Sequence, residues 1–221
     1  MRRGRVSIGT SPSISAHRLP PIIAAYQAQH PGITLELHEA FAKGMYEDVL
    51  ERVTDFAIGP RLDGLKDFEI ETVIEDPIVA VLPASFNLNG RQTVTLERIA
   101  AEPQLSMPKG TAIRQVTEHA FHSNQYTFAP KFEVMHQQTL FSLVEAGLGV
   151  AVLPLMSVPP EPSDKYQVAE LRRPSIIRDI CLVYLKGKKL SPASASCADL
   201  IVRSLKSQFK KTSKPRRADT D

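Results

Sequence analysis

The chain has 221 residues, 43% of them apolar and 23% charged, enough for one large or two modest domains whose core needs no covalent staples. No apolar run approaches the roughly 20 residues that span a bilayer, and MRRGRVSIG lacks the apolar stretch and cleavage site of a secretory signal. Membrane insertion is thereby excluded, and the cytoplasm is the expected compartment.

The net charge of +3 resides at the end of the chain, where Arg203, Lys206, Lys210, Lys211, Lys214, Arg216 and Arg217 stand without an acid among them. Setting aside those seven, with Asp219 and Asp221, leaves 20 bases (27 less 7) against 22 acids (24 less 2) in residues 1–202. The folded body is therefore not expected to be a nucleic-acid surface, and residues 210–221 are expected to form a basic, disordered tail.

In chain order, Val6 and Ile8 alternate with Ser7 and Gly9 as in a half-buried strand, and Gly9-Thr10-Ser11-Pro12-Ser13 supplies a turn and helix-capping residues. Leu19, Ile22, Ile23 and Tyr26 form one helical stripe, which Pro20 and Pro21 must kink or restart, and His30-Pro31-Gly32 stops it. Ile33, Leu35 and Leu37 alternate with Thr34, Glu36 and His38, giving a second strand that a right-handed crossover places parallel to the first. Met45, Val49 and Val53 predict a helix over Lys43–Val53. Asp55–Pro60 then reads as a buried parallel strand with a loop at its carboxyl end.

Phe68–Leu82 reads as two strands split at Glu75-Asp76-Pro77, and there the chain is expected to leave its first lobe. After a turn over Ser85–Gly90, Thr95 is expected to cap a short helix through Ala101, and Gln104–Met107 is a strand opening a second lobe. Pro108-Lys109-Gly110-Thr111 repeats the arrangement of strand, polar turn and helix, with a helix over Ala112–Ser123 and a strand over Phe132–Met135. Gln137-Gln138-Thr139 opens a helix through Glu145, which Gly147 and Gly149 close, and Val150–Leu153 is an apolar strand ending at Pro154. A polar loop over Ser157–Lys165, strands over Val168–Leu171 and Ile176–Leu185, and a final helix striped by Leu200, Ile201, Leu205 and Phe209 complete the chain.

Four segments in this order resemble the effector-binding domain of LysR-type transcriptional regulators: IGTSPSISAHRLPPIIAAYQAQHPGITLEL, TDFAIG, IVAVLP and, most specifically, LFSLVEAGLGVAVLP from Leu140 to Pro154. The resemblance covers Arg5 to Phe209. It implies an α/β fold of two Rossmann-like subdomains joined by two crossing strands, like a type 2 periplasmic binding protein, with a small-molecule cleft between them. Subdomain I is expected over residues 4–78 and 184–209, and subdomain II over 79–183. The family further implies a homodimer or homotetramer, with the helix over 43–53 as a participant, and DNA binding only through a winged helix-turn-helix that precedes this domain. Residues 1–4 leave no room for that head, so the chain is expected to be the sensing part without its own DNA recognition. One departure stands out: a glycine usually lies shortly before the Asp of TDFAIG, whereas Arg52-Val53-Thr54 occupies that place, which bears on the turn ending the helix.

In open α/β sheets ligands collect at the carboxyl ends of parallel strands, where helix N-termini present unpaired N–H groups. Three such corners are visible: Thr10, Ser11 and Ser13; Ser106 through Thr111, including Met107 and Gly110; and Gln137, Gln138 and Thr139. Their hydroxyls and amides suit a small carboxylate or other anion. The resemblance places Thr10 and Ser11 on the first effector loop, Ser106–Thr111 on a facing loop, and Gly59-Pro60 and Pro154 at strand ends bordering the cleft. Against this stands the ordinary role of Ser and Thr as helix caps, worth about 1 kcal/mol each. Arg61, Lys109 and Arg114 could add a cation, although solvated surface charge is the ordinary role of each.

Catalytic chemistry is missing from the sequence. His119 and His122 share a helix face but lack a third ligand, so no metal site is expected. Cys181 and Cys197 make neither a CxxC pair nor a disulfide framework and read as buried thiols. Glu47, Asp48 and Glu51 are expected to face water. No GxSxG, Walker loop, GxGxxG or HExxH occurs, so neither an enzyme nor a cofactor is expected. The reading is a ligand-sensing and dimerising domain that binds a small anionic metabolite to control transcription. The alternatives are a transporter's solute-binding protein, which the missing signal disfavours, and an enzyme on the scaffold of hydroxymethylbilane synthase, for which both cysteines are badly placed.

Overall fold

The structure, a computed structural model, describes residues 4–212. Strand β1 (Gly4–Thr10) is buried on both faces from Val6 onward, not on one as its alternation predicts, because β2 (Ile33–Glu39) and β3 (Phe56–Pro60) flank it in parallel and helices cover it. Ser7 is accommodated there because its hydroxyl donates to the Val53 carbonyl at 2.8 Å and its N–H donates to Asp55 Oδ2 at 3.0 Å.

The first helix is interrupted as α1 (Pro12–Ser15) and α2 (Leu19–Gln29). Pro20 and Pro21 sit in the first turn of α2, where an N–H has no intrahelical partner to lose, so they start a helix instead of kinking one. Tyr26 is buried and donates its hydroxyl hydrogen to the Ala193 carbonyl at 3.0 Å, fixing α2 to the last helix, α7 (Pro192–Thr212). Helix α3 (Ala42–Leu50) ends short of the expected Val53. Arg52 turns the chain with φ +61°, so Met45, Tyr46 and Val49 are buried while Val53 is exposed. Strand β10 (Ile177–Leu185) lies antiparallel to β3, Ile180 opposite Pro60 and Val183 opposite Ala57. Cys181 joins Met45, Tyr46, Val49 and Ala57 in the core beneath them, and Cys181 and Cys197 are both buried free thiols.

The split expected at Glu75-Asp76-Pro77 does not occur: β4 runs unbroken over Phe68–Pro83. Asp76 and Pro77 look like a turn, but the Asp76 carboxylate is buried and accepts the Met156 N–H at 3.1 Å, while Ile78 donates its N–H to the Ile176 carbonyl at 2.9 Å. Two compact units result. One comprises the segment up to Ser11, Arg18–Ile74 and the segment from Asp179; the other comprises Pro12–His17 and Glu75–Arg178. The chain thus changes unit on β4 after Ile74 and on β10 after Arg178.

In the second unit an additional strand, β5 (Thr93–Thr95), pairs in parallel with β9 (Tyr166–Arg172). Thr95 occupies the N-cap of α4 (Leu96–Ala100), but its side chain makes no capping bond. Strand β6 (Gln104–Ser106) lies in parallel between β7 (Phe132–Glu133) and β8 (Val150–Pro154), and β8 runs antiparallel to β4. Helices α5 (Ala112–Ser123) and α6 (Gln137–Glu145) occupy the expected spans. Phe121, Leu96, Ile99, Leu140, Val144 and Ala151 form the centre of this core. Gly149 is required by close approach: a Cβ there would overlap the Pro103 carbonyl oxygen, which accepts the Val150 N–H at 2.9 Å.

Helix α7 continues to Thr212, into the segment expected as a tail, and the remainder of that segment lies outside the described residues. Among the described residues no helix is long and apolar enough to cross a membrane.

Candidate functional site

In the first unit, β1 and β3 are parallel neighbours and carry Thr10 and Gly59-Pro60 at their carboxyl ends. Thr10 is buried and its hydroxyl donates to the Ser11 carbonyl at 3.4 Å. Gly59 is set by packing, because a Cβ there would overlap the Met45 thioether. Arg61 follows, its Nε donating to Asp63 Oδ1 at 3.0 Å; that bond holds its exposed guanidinium above the ordinary arginine value.

Ser13, in α1, belongs to the second unit and to a network absent from the sequence reading. Arg178 Nη2 donates to Ser13 Oγ at 2.8 Å, and Arg178 Nε donates to Asp76 Oδ2 at 2.9 Å. The other Asp76 oxygen accepts the Met156 N–H. The Asp76 side chain is 0% exposed and that of Arg178 11%. Burial pushes the Arg178 pKa down against the opposing pull of the Asp76 carboxylate. Since the guanidinium occupies a lone pair of Ser13 Oγ, the Ser13 hydroxyl hydrogen is directed elsewhere as a donor.

Around Ser106–Thr111 the hydroxyls serve their own backbone. Ser106 Oγ donates to the Met107 carbonyl at 2.9 Å, and Thr111 Oγ1 donates to the Pro108 carbonyl at 2.9 Å while capping α5 by accepting the Arg114 N–H at 3.4 Å. Met107 is a buried core residue, and Gly110, at φ +90°, provides the turn. Arg114 overturns its expected role as solvated charge. Its side chain is 3% exposed, bonds Glu133 Oε1 at 2.6 Å and Glu118 Oε2 at 3.3 Å, and stacks 4.8 Å from the Phe128 ring centroid. Burial alone would lower its pKa, but Glu133 and Glu118 hold it above the ordinary value. Arg114 Nη1 also reaches Ser106 Oγ and the Met107 carbonyl, both at 3.5 Å, so it braces this loop from within the fold.

The third corner is the most open. No side chain caps α6, whose N-cap is His136, and Gln138 and Thr139 in its first turn are exposed. The Thr139 N–H donates to the His136 carbonyl at 3.1 Å, which leaves the Gln137 and Gln138 amides and the partial positive charge of the helix end for an anion. Pro154 ends β8 and is buried. Among the described residues no three His, Cys, Asp or Glu side chains are grouped to hold a metal.

A family model described as the LysR substrate binding domain matches residues 1–206. The chain belongs to that family. Similar regulators include the HTH-type transcriptional regulator YfeR of Shigella flexneri, 26% identical over 198 residues, covering 90% of this chain and 64% of that protein. The RuBisCO operon transcriptional regulator of Allochromatium vinosum is 23% identical over 201 residues, covering 90% and 66%, and the regulator CfxR of Cupriavidus necator 28% over 202 residues, covering 89% and 62%. This LysR substrate binding domain thus spans 62–66% of the length of these relatives. Among solved structures, the effector binding domain of QuiR in complex with shikimate superposes with a TM-score of 0.76 at 19% identity, covering 96% of this chain and 99% of that one. The CcmR regulatory domain of Synechocystis in complex with 2-PG gives 0.82 at 17%, covering 91% and 97%. The fold is accordingly the type 2 periplasmic-binding-protein-like fold that the sequence led us to expect. These relatives are transcriptional regulators, and neither a transporter component nor a hydroxymethylbilane synthase stands among them.

Proposed function

We propose that this LysR substrate binding domain senses a small anionic metabolite and, as part of a larger cytoplasmic regulator assembled as a homodimer or homotetramer, controls DNA binding and transcription without catalysing a reaction. The observation that carries the reading is the uncapped first turn of α6, with Gln138 and Thr139 exposed beside it, in a domain of this family. Two structural neighbours are described as complexes with small molecules, shikimate and 2-PG. Ser11, Ser13, Gln138 and Thr139 are the proposed ligand contacts. Thr10, Gly59, Pro60, Ser106, Met107, Gly110, Thr111 and Pro154 shape the loops that carry them. A ligand acts by binding one conformation of the protein better than another, and it shifts the population by no more than that difference in affinity.

A thermal-unfolding screen of small carboxylic and phosphorylated acids tests this. A ligand at 100 times its Kd stabilises the domain by about 2.7 kcal/mol. Ser11→Ala and Thr139→Val are expected to weaken the hit while leaving the unliganded melting temperature in place. A silent panel, or a hit indifferent to both substitutions, would refute the proposal.

A further inference from the structure

Within the first unit, at the end where β3 begins and β10 finishes, three loops bring five cations around one groove. Arg52 follows α3, Lys66 lies between β3 and β4, and Lys186, Lys188 and Lys189 connect β10 to α7. Two adjoining hollows of about 430 and 200 Å³ share Arg52, Leu185 and Lys188 in their walls. Leu50, 49% exposed, and Leu185 supply apolar surface in the larger one. The two acids present, Asp55 and Asp67, leave the five bases an excess of three positive charges, and Asp55 Oδ2 is turned to the Ser7 N–H at 3.0 Å and the Ser194 hydroxyl at 2.9 Å. Among the described residues none of the five cations has a carboxylate within ion-pair distance. Residues 1–202 hold more acids than bases, so this concentration is not a sample of a generally basic surface.

The backbone supplies a second, independent observation. Arg52 has φ +61°, a conformation that glycine adopts freely and that side-chain-bearing residues resist. Glycine would therefore end α3 at least as well. The side chain responsible for that penalty also lines both hollows, with Leu185 and Lys188.

We propose that this groove binds a small, multiply charged, phosphate-bearing anion, with Arg52 and Lys188 as its central contacts. Guanidinium and ammonium groups are strong donors to phosphate oxygens. The larger hollow lies within the roughly 300–1,000 Å³ of small-molecule sites. Ser191, at the start of the 21-residue helix α7, brings the positive end of a long helix to the wall. The groove is distinct from the strand-end loops, lying before the first residue of β3 whereas Gly59-Pro60 form its last.

Pyrophosphate titrated into the ¹⁵N-labelled chain at about 0.1 M salt tests the site. Saturable shifts are expected for residues 50–55, 65–67 and 185–191, with a Kd below about 1 mM. Arg52→Gly and Lys188→Glu are each expected to weaken binding tenfold or more. Arg52→Gly is expected to melt no lower than the parent, which separates lost contact from lost folding. Unsaturable shifts that include Lys109 and Lys131, or binding unchanged in both variants, would overturn the proposal. A duplex of roughly 20 base pairs run alongside covers the remaining case: saturation by duplex but not by pyrophosphate would also overturn it, making the groove a nucleic-acid surface.

Discussion

Asp76→Ala and Arg178→Ala should each lower the unfolding free energy by about 3–5 kcal/mol, while Asp76→Leu combined with Arg178→Met should cost far less than their sum. The magnitude follows from burial and partners. The Asp76 side chain is 0% exposed and Arg178 11%, and they meet at 2.8 Å. Without Arg178 the carboxylate retains the Met156 N–H at 3.1 Å but loses its cation in a site closed to water. Without Asp76 the guanidinium keeps Ser13 at 2.8 Å but loses its counter-charge, and the Met156 N–H loses its acceptor, which by itself costs about 1–3 kcal/mol. The apolar pair removes both charges together, so neither is stranded. Lys43 and Glu47 provide the control: with side chains 89% and 55% exposed at 3.6 Å, that pair contributes no more than about 0.5 kcal/mol. Urea unfolding followed by circular dichroism, with the double-mutant cycle completed, measures each quantity. Single substitutions costing under about 1 kcal/mol, or a double variant costing the full sum, would refute the assignment of this pair as a mutually dependent buried unit.

Three further outcomes are expected. Arg52→Gly should raise the unfolding free energy by about 0.5–1 kcal/mol in urea, because φ +61° is free of penalty only for glycine; no gain would mean that Arg52 is unstrained. Gly149→Ala should destabilise by about 3 kcal/mol, since its Cβ meets a backbone carbonyl at Pro103 that cannot swing away as a side chain can; a wild-type melting temperature would refute that contact. Burial pushes the Cys197 thiol up to about 12, above its ordinary value of 9.0. A raised folded pKa gives a contribution present in full below about pH 9 and lost as the pH climbs toward 12, so Cys197→Ala should show a shallower loss of stability above pH 9 than the parent. Parallel pH profiles would contradict this.

The elements most legible in the sequence were those whose signals are local. Thr111 before Ala112 and the Gly147 and Gly149 pair after Glu145 mark the ends of α5 and α6, and both helices lie where those residues put them. The errors arose where a distant residue decided the outcome. Asp76-Pro77 has turn composition, but a partner 102 residues away makes it the interior of a strand. Arg114 has the composition of a surface charge, yet Glu133, 19 residues on, and the Phe128 ring allow it to be buried. Val53 kept the helical spacing, and Arg52 ended the helix before it through a backbone angle that arginine seldom adopts. At the candidate site the strand ends and hydroxyls were readable. What the sequence did not carry is that Thr10, Ser106 and Thr111 spend their hydroxyl hydrogens on neighbouring carbonyls while α6 lacks a side-chain cap. Those bonds depend on side-chain rotamers, which no spacing rule records.

The antiparallel pairing of β3 with β10 has a consequence for synthesis. Residues 56–60 leave the ribosome roughly 125 residues before the strand that completes their sheet, a delay of roughly 6–25 s at about 5–20 residues per second. Throughout that interval the nascent chain holds Phe56-Ala57-Ile58 with one hydrogen-bonding edge unfilled, in a segment apolar enough to be fully buried once finished. Shielding of that edge during translation therefore bears on the yield of folded protein separately from the stability of the completed domain.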